Sequence, residues 1–243
     1  MALREFYEEL PSTQERALVL ARGGAADGTR VVARRQGDGR GRDGRRWASP
    51  PGGLYLSIVL RPAPLTPLLP LAVGAELAGA LLERCGARLR LKWPNDLLAV
   101  GAGGELRKLG GILVDAVADA SPSAVAGIGV NVGPDRDRLP PGVRGEAAAL
   151  AEIVAAIPSL ESLEAWVADA ALRARTSVLD RAADRALVAR CRGLLCGVGE
   201  PLTVDGRPGG TLAGLADDGA LVVLADGARR TVHAGHVRLG VGA

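Results

Sequence analysis

Gln36-Gly-Asp-Gly-Arg-Gly-Arg-Asp-Gly-Arg-Arg-Trp47 interleaves four glycines with four arginines. Glycine lets the backbone bend where a Cβ would clash, and several guanidinium forks then converge on one small volume. A stretch this polar buries no core of its own. It suits wrapping an anion, because arginine makes paired, charge-assisted hydrogen bonds to phosphate or carboxylate. Two plainer readings stand beside that one: a segment that grips RNA backbone without sequence preference, or a solvated turn.

Outward from this loop, strand and helix signals alternate. Ser12-Thr13-Gln14 reads as an N-cap ahead of an amphipathic run over 15–22. Residues 29–33 form a β-rich run entering the loop; 54–60 form a second, opened by Gly52-Gly53 and stopped by Pro62. Residues 67–84 are helical with apolar side chains on most faces, the mark of a buried helix. Residues 88–92 alternate as a strand, 95–100 and 106–115 make a hairpin around Gly101-Ala-Gly-Gly104, and 124–132 is an apolar strand. From Ser159 to about Leu195 the pattern gives one or two helices, with Trp166 in the core. Past Gly197 come five short β-rich runs (202–204, 211–215, 220–224, 230–233, 236–239) between Asp-Gly turns such as Asp205-Gly206. The expectation is an α+β fold: a mixed or antiparallel sheet with helices over 1–195, and a small SH3-like barrel over 196–243.

Composition excludes more than it assigns. The chain has 243 residues, 48% hydrophobic, with a net charge of +3, enough apolar content for a core and no demand for nucleic acid. Cys85, Cys191 and Cys196 are an odd set without a CxxC pair, which argues against a disulfide framework or zinc site and for a reducing, cytoplasmic setting. His233 and His236 lack a third metal ligand and read as surface or structural histidines. The N-terminal residues carry acids where a secretory signal would be apolar. The most membrane-like run, 65–82, is broken by Pro67, Pro70 and Glu76 and followed by Glu83 and Arg84, so no membrane span is expected.

Among 30 basic residues only Lys92 and Lys108 are lysines; Asn95 and Asn131 are the only asparagines, Gln14 and Gln36 the only glutamines. A genome that swaps lysine for arginine explains the scarcity but not the location of the survivors. Lys92 and Asn95 share Leu-Lys-Trp-Pro-Asn-Asp, Lys108 opens Lys-Leu-Gly-Gly-Ile-Leu-Val-Asp, and Asn131 follows Gly-Ile-Gly-Val. Arginine cannot replace a compact ammonium at a tight site, nor aspartate an amide donor, so these positions are expected to carry chemistry.

The loop 36–47 followed by Leu-Tyr-Leu-Ser, then Lys92-Trp-Pro-Asn-Asp, Lys108-Leu-Gly-Gly-Ile-Leu-Val and Gly127-Ile-Gly-Val-Asn131, resembles biotin protein ligases in order and spacing. The short strands at the C-terminus resemble their small barrel. The resemblance implies a two-step acyl transfer, with ATP and biotin as substrates and Mg2+ alongside the nucleotide. Biotin's carboxylate attacks the α-phosphate to give biotinyl-5′-adenylate; a lysine of a biotin carboxyl carrier protein, that of acetyl-CoA carboxylase or a related biotin-dependent carboxylase, then attacks the adenylate.

By match to that family, Ser12, Thr13 and Gln36 would meet the ureido ring of biotin, with Gly39, Arg40 and Gly111 also lining biotin. Arg40, Arg42, Arg45, Trp47, Asp96 and Asn131 would line the nucleotide. Lys108 would bridge carboxylate and α-phosphate, with Arg42 and Lys92 as further catalytic groups. Gly110 and Gly111 would let backbone approach the ligand. Lys92 and Asp96 would orient the phosphates, the metal or the incoming carrier lysine; the metal's ligands are otherwise unassigned, and a homodimer is left open. Some positions depart from the family pattern: Arg34 and Arg35 stand where an acidic and then a neutral or aromatic residue is common. Asp38 replaces a small residue, and a resting Asp38–Arg40 salt bridge is expected. The chain begins too near Ser12 to hold the helix-turn-helix of repressor-type ligases, so no DNA binding is expected. Two alternatives remain: a lipoate or octanoate ligase-type acyltransferase on the same fold, and a non-catalytic RNA-binding module. The second lacks stacking surface, with three Trp, two Tyr and one Phe in the chain.

Overall fold

Seven strands, β1 (Arg4–Tyr7), β2 (Arg30–Ala33), β3 (Gly53–Leu60), β4 (Leu89–Lys92), β5 (Asp96–Val100), β6 (Leu106–Val117) and β7 (Ser123–Asn131), form one sheet in the order β1-β2-β3-β7-β6-β5-β4. The computed structural model describes residues 1–63, 66–117, 122–133 and 139–240; Leu65, at the head of the apolar run noted above, lies outside them. β1 and β2 are parallel and every other neighbouring pair is antiparallel, so the sheet is mixed.

Strand side chains alternate between faces, and here the two faces have different tasks. Leu54, Leu56, Ile58, Leu60, Ile128 and Val130 share one apolar cluster with α2 (Leu68–Cys85) and α4 (Leu160–Leu179). On the other face Val31, Val59 and Val125 pack against Ala17, Leu18 and Ala21 of α1 (Thr13–Arg22). Farther along that second face β7 offers Gly127, Gly129 and Asn131, opposite Ser57, Tyr55 and Gly53 of β3. With almost no side chains there, the sheet leaves a bare floor. The site sits on it.

α1 starts where its cap predicts: Ser12 is extended, and its hydroxyl accepts the Glu15 N–H at 3.4 Å. α2 is buried on nearly every side, and its one deep charge, Glu76, is met by Arg190 of α5 (Arg181–Leu194) at 2.6 Å and Arg173 of α4 at 3.7 Å. A buried carboxylate needs such partners. Trp166 is only half-buried, with Arg84 stacked 5.4 Å from its ring, because it lies on the rim of α4 rather than at the centre.

Two features go beyond the sequence reading. β1 is an extra edge strand, held where Arg4 of β1 and Arg30 of β2 both reach Glu164 of α4, at 2.7 and 2.8 Å. The short helix α3 (Pro141–Arg144) leads into a backbone stretch that pairs with Lys108: its N–H donates to Glu146 O at 2.7 Å, and its carbonyl accepts from Ala148 at 2.8 Å.

Strands β8 (Pro201–Val204), β9 (Arg207–Leu215), β10 (Leu221–Ala225), β11 (Ala228–Val232) and β12 (Val237–Leu239) form a second, antiparallel sheet in the order β11-β10-β9-β8-β12, with β11 and β12 at its edges. Its apolar residues Leu202, Leu212, Leu221 and Val237 belong to the same cluster as α2 and α4. Trp93, after β4, donates its indole N–H to Gly219 O at 3.0 Å, and Cys196 N–H donates to Leu91 O at 2.9 Å.

Candidate functional site

The arginine-rich stretch is a small hairpin. Gly41 N–H donates to Arg45 O at 2.8 Å, and Trp47 N–H to Gly39 O at 2.8 Å. Asp43 and Gly44 turn its tip at φ of 56° and 70°, left-handed values that suit glycine and are tolerated by aspartate. Gly39 must be glycine for another reason: a Cβ there would stand 2.4 Å from Trp47 O and 2.6 Å from Ser49 Oγ. The hairpin folds Trp47 back onto the bare floor. Cβ atoms at Gly129 and Gly111 would meet its indole at 2.7 and 3.5 Å.

Lys108 points onto the same floor. β5 and β6 slip register between Leu97 and Leu98, leaving Leu109 as the extra residue of a bulge, a device that re-aims neighbouring side chains. Leu109 goes into the core, while the Lys108 ammonium lies 2.6 Å from Asp96 Oδ1 and 5.3 Å from the Trp47 ring centre. Lys92 faces Asp96 across the β4–β5 turn. Lys108, Asp96, Trp47 and Gly111 are therefore brought together, with Lys92 adjoining.

At the α1 end of the floor a chain of polar groups is linked. Gln36 Oε1 accepts from Thr13 N–H at 2.8 Å and Thr13 Oγ1 at 3.0 Å; Thr13 Oγ1 also meets Ser57 Oγ at 2.9 Å. Gln36 Nε2 donates to Ser49 Oγ at 2.7 Å. Gln14 donates to Asp115 and to Val125 O, both at 3.0 Å, and its Oε1 is buried beside Gly127 without a partner among the described residues. Ser57, Ser49, Gln14 and Asp115 were not among the predicted site residues. Strand alternation, which puts Ser57 on the face of Tyr55, was the signal that could have found Ser57. Trp47 Nε1 is likewise buried with no partner among the described residues.

The asparagines turn inward. Asn131 donates to Ala148 O at 3.1 Å and Lys108 O at 3.4 Å, and Asn95 to Ile112 O at 2.8 Å. Both brace the strands that carry the site, and Asn131 also borders a cleft of about 30 Å³ with Tyr55, Val132 and Leu139. Tyr55, pushed up by burial, donates to Pro50 O at 2.7 Å and holds the end of the loop. A larger cleft of about 360 Å³ between α5 and the second sheet includes Leu195, Val198 and Val222 in its lining and none of the motif residues.

Three loop arginines have partners, and the anticipated Asp38–Arg40 bridge is not the one formed. Arg40 pairs with Glu15 of α1 at 3.1 Å, since Glu15 projects from the first turn of the helix toward the loop, while Asp38 donates its backbone N–H to Pro11 O at 2.8 Å. Arg46 donates to Gly37 O at 2.6 Å, and Arg45 to His236 Nδ1 at 3.1 Å. Arg42 has no ion-pair or hydrogen-bond partner for its side chain among the described residues. Arg34 and Arg35 are matched by Glu8 and Glu9 just after β1. His236 is thus no ordinary surface residue.

Residues 8–133 match the Biotin/lipoate A/B protein ligase family. A biotin–[acetyl-CoA-carboxylase] ligase of Paracoccus denitrificans is 35% identical over 94% of this chain and 97% of its own length. The bifunctional ligase/repressor BirA of Bacillus subtilis (strain 168) is 37% identical over 60% of this chain, which spans 46%, about half, of that protein's length. Among solved structures, the biotin protein ligase from Aquifex aeolicus in complex with biotin and ATP superposes with a TM-score of 0.81 at 28% identity, covering 98% of this chain and 99% of that one. The chain belongs to the biotin/lipoate A/B protein ligase family.

Proposed function

We propose that the protein is a biotin protein ligase, which activates biotin with ATP and transfers it to a lysine of a biotin carboxyl carrier domain such as that of acetyl-CoA carboxylase. In the first step a biotin carboxylate oxygen bonds to the α-phosphorus and pyrophosphate leaves. In the second, a neutral ε-amine attacks the acyl carbon of the mixed anhydride, AMP leaves, and the amine loses a proton. The observation that carries this reading is the Lys108 ammonium on a glycine floor under an arginine hairpin. A carboxylate and a polyphosphate repel each other, so preorganised cations are what their meeting requires. In this reading Lys108 spans the two reacting anions, and Arg40, Arg42 and Arg45 close over the phosphate. Thr13, Gln36 and Gly39, with Ser12 capping behind them, form the biotin end, where the unpartnered Gln14 Oε1 would accept a ureido N–H.

Magnesium accompanies ATP in such chemistry. The donors fit an ion carried in by the nucleotide: Asp96 is the acid at the site, and no group of three or more His, Cys, Asp or Glu able to hold a metal stands among the described residues. Asp96 and the phosphates would hold it, and it would screen their charge. Free Cys85, Cys191 and Cys196 support a cytoplasmic setting, and no helix among the described residues is long and apolar enough to cross a membrane. The family also contains lipoate ligases, so the deciding experiment offers biotin and lipoate in parallel, with α-labelled ATP and both carrier domains. Labelled biotinyl-adenylate and a biotinylated carrier are expected; lipoylation instead would overturn the reading.

A further inference from the structure

His236 stands immediately before β12, in the second sheet, 191 residues from the loop arginine that it touches. Its backbone is clamped by one residue: its N–H donates to Asp205 Oδ1 at 2.7 Å, and its carbonyl accepts from Asp205 N–H at 2.9 Å. Asp205 in turn sits in the β8–β9 turn with φ of 51°. Gly235, at φ of 133°, has no room for a Cβ, which would stand 2.9 Å from Val204 Cγ1. The imidazole is therefore aimed by a tight turn.

Arginine has only donors, so the 3.1 Å contact requires His236 Nδ1 to be the acceptor and the ring to be neutral. The surroundings favour that form. Burial lowers the affinity of His236 for a proton, and Arg45 of the loop, Lys92 of β4 and Arg238 of β12 act in the same direction, against Asp96 of β5. The Asp205 carboxylate is taken up by the His236 N–H.

We propose that neutral His236 is a positioning residue for the arginine hairpin, a clasp by which the second sheet holds Arg45 over the site and which opens when the ring takes up a proton. Protonated imidazole has no lone pair for Arg45 and repels it, so loop closure is tied to pH through the C-terminal sheet. The consequence for catalysis rests on the hairpin being the lid of an adenylating site; the clasp itself does not.

Amide hydrogen exchange of Gly41, Arg45 and Trp47 reads the hairpin directly, with β3 and β7 amides as the internal reference for folding. At pH 7.5, His236→Ala is expected to raise exchange about three- to tenfold, the size of one exposed hydrogen bond. His236→Asn, whose amide oxygen can take the place of Nδ1, should stay protected at pH 7.5 and at pH 5. Wild type should lose its protection on acidification below the ordinary histidine value of about 6.5, and Arg45→Met should match His236→Ala. Unchanged exchange in both His236→Ala and Arg45→Met, or wild-type protection independent of pH, would overturn the clasp. Off-rates of biotinyl-adenylate measured on wild type and the His236 variants should follow the same order. If wild type forms no adenylate, the ligase reading falls while the exchange arm still decides the clasp.

Discussion

Replacing Lys108 by alanine leaves Asp96 facing a glycine floor and, in the proposed reaction, removes the cation that spans the two reacting anions. A charge-assisted contact is worth roughly 1.5–3 kcal/mol, and each 1.36 kcal/mol is about tenfold in rate. Lys108→Ala, and also Lys108→Arg, are predicted to lower pyrophosphate release by more than tenfold in a protein that still folds. Near-normal release from folded Lys108→Ala would contradict the assigned role. Gly129 tests the floor itself. Its backbone suits alanine, but the new methyl would lie 2.7 Å from the Trp47 indole, so the ring must lift. Gly129→Ala should shift tryptophan emission and cut adenylation by about tenfold, with a melting temperature close to wild type. Lys108 stood out in the sequence because arginine holds every basic position but two, whereas nothing of that kind singled out Gly129. The two asparagines were legible as special, but the structure uses their amides to brace strands.

The hairpin from Gly39 to Trp47 is tied down by side chains at Arg40, Arg45 and Arg46, not by an apolar anchor beyond Trp47. Arg42, which has no side-chain partner among the described residues, is the loop arginine already free to meet the phosphate in the proposed reaction. Arg42→Gly removes that contact and adds backbone freedom to the open loop. The expected outcome is a faster adenylate off-rate and biotinylation of bystander proteins such as serum albumin; a wild-type off-rate with no bystander labelling would remove support for a latch. At the opposite edge, burial alone would push Glu164 up, but hydrogen bonds from Arg4 and Arg30 outweigh it and hold the carboxyl below its usual range. A depressed carboxyl contributes stability above the unfolded value of about 4.3, lost as pH falls through the native one. Glu164→Gln should cost about 1–3 kcal/mol at pH 7, discounted because Arg4 is partly exposed, and the gap in melting temperature should narrow as pH falls below the unfolded value. β1 itself was illegible: four residues, two of them charged, meet a partner strand some 26 positions on. By contrast, the cap at Ser12, the apolar run of α2 and the Gly101–Gly104 turn follow local rules, so sequence alone located them. The Leu109 bulge and the Arg45–His236 contact depend on distant strands, which no local rule reports.

One apolar cluster runs from α2 and α4 into the second sheet, so the boundary drawn at 195/196 is predicted not to behave as a seam. Thermal unfolding should show one cooperative transition, and Trp93→Phe, which strands Gly219 O in a buried setting, should lower stability by about 1–3 kcal/mol without splitting it. Two separate transitions would contradict a shared core. The site also has an implication for the protein's own surface. In the proposed reaction, a mixed anhydride that drifts away acylates whatever ε-amines it meets, and the nearest surface is that of the protein which made it. Here the ε-amines number two, Lys92 and Lys108, both at the site, and Lys108 is ion-paired with Asp96. The outer shell, armed almost wholly with guanidinium groups, is a poor target for its own product. Self-modification is therefore predicted to be slight: under turnover that heavily labels a lysine-rich neighbour, the intact mass should gain no more than the few biotins that Lys92, Lys108 and the Met1 α-amine can take.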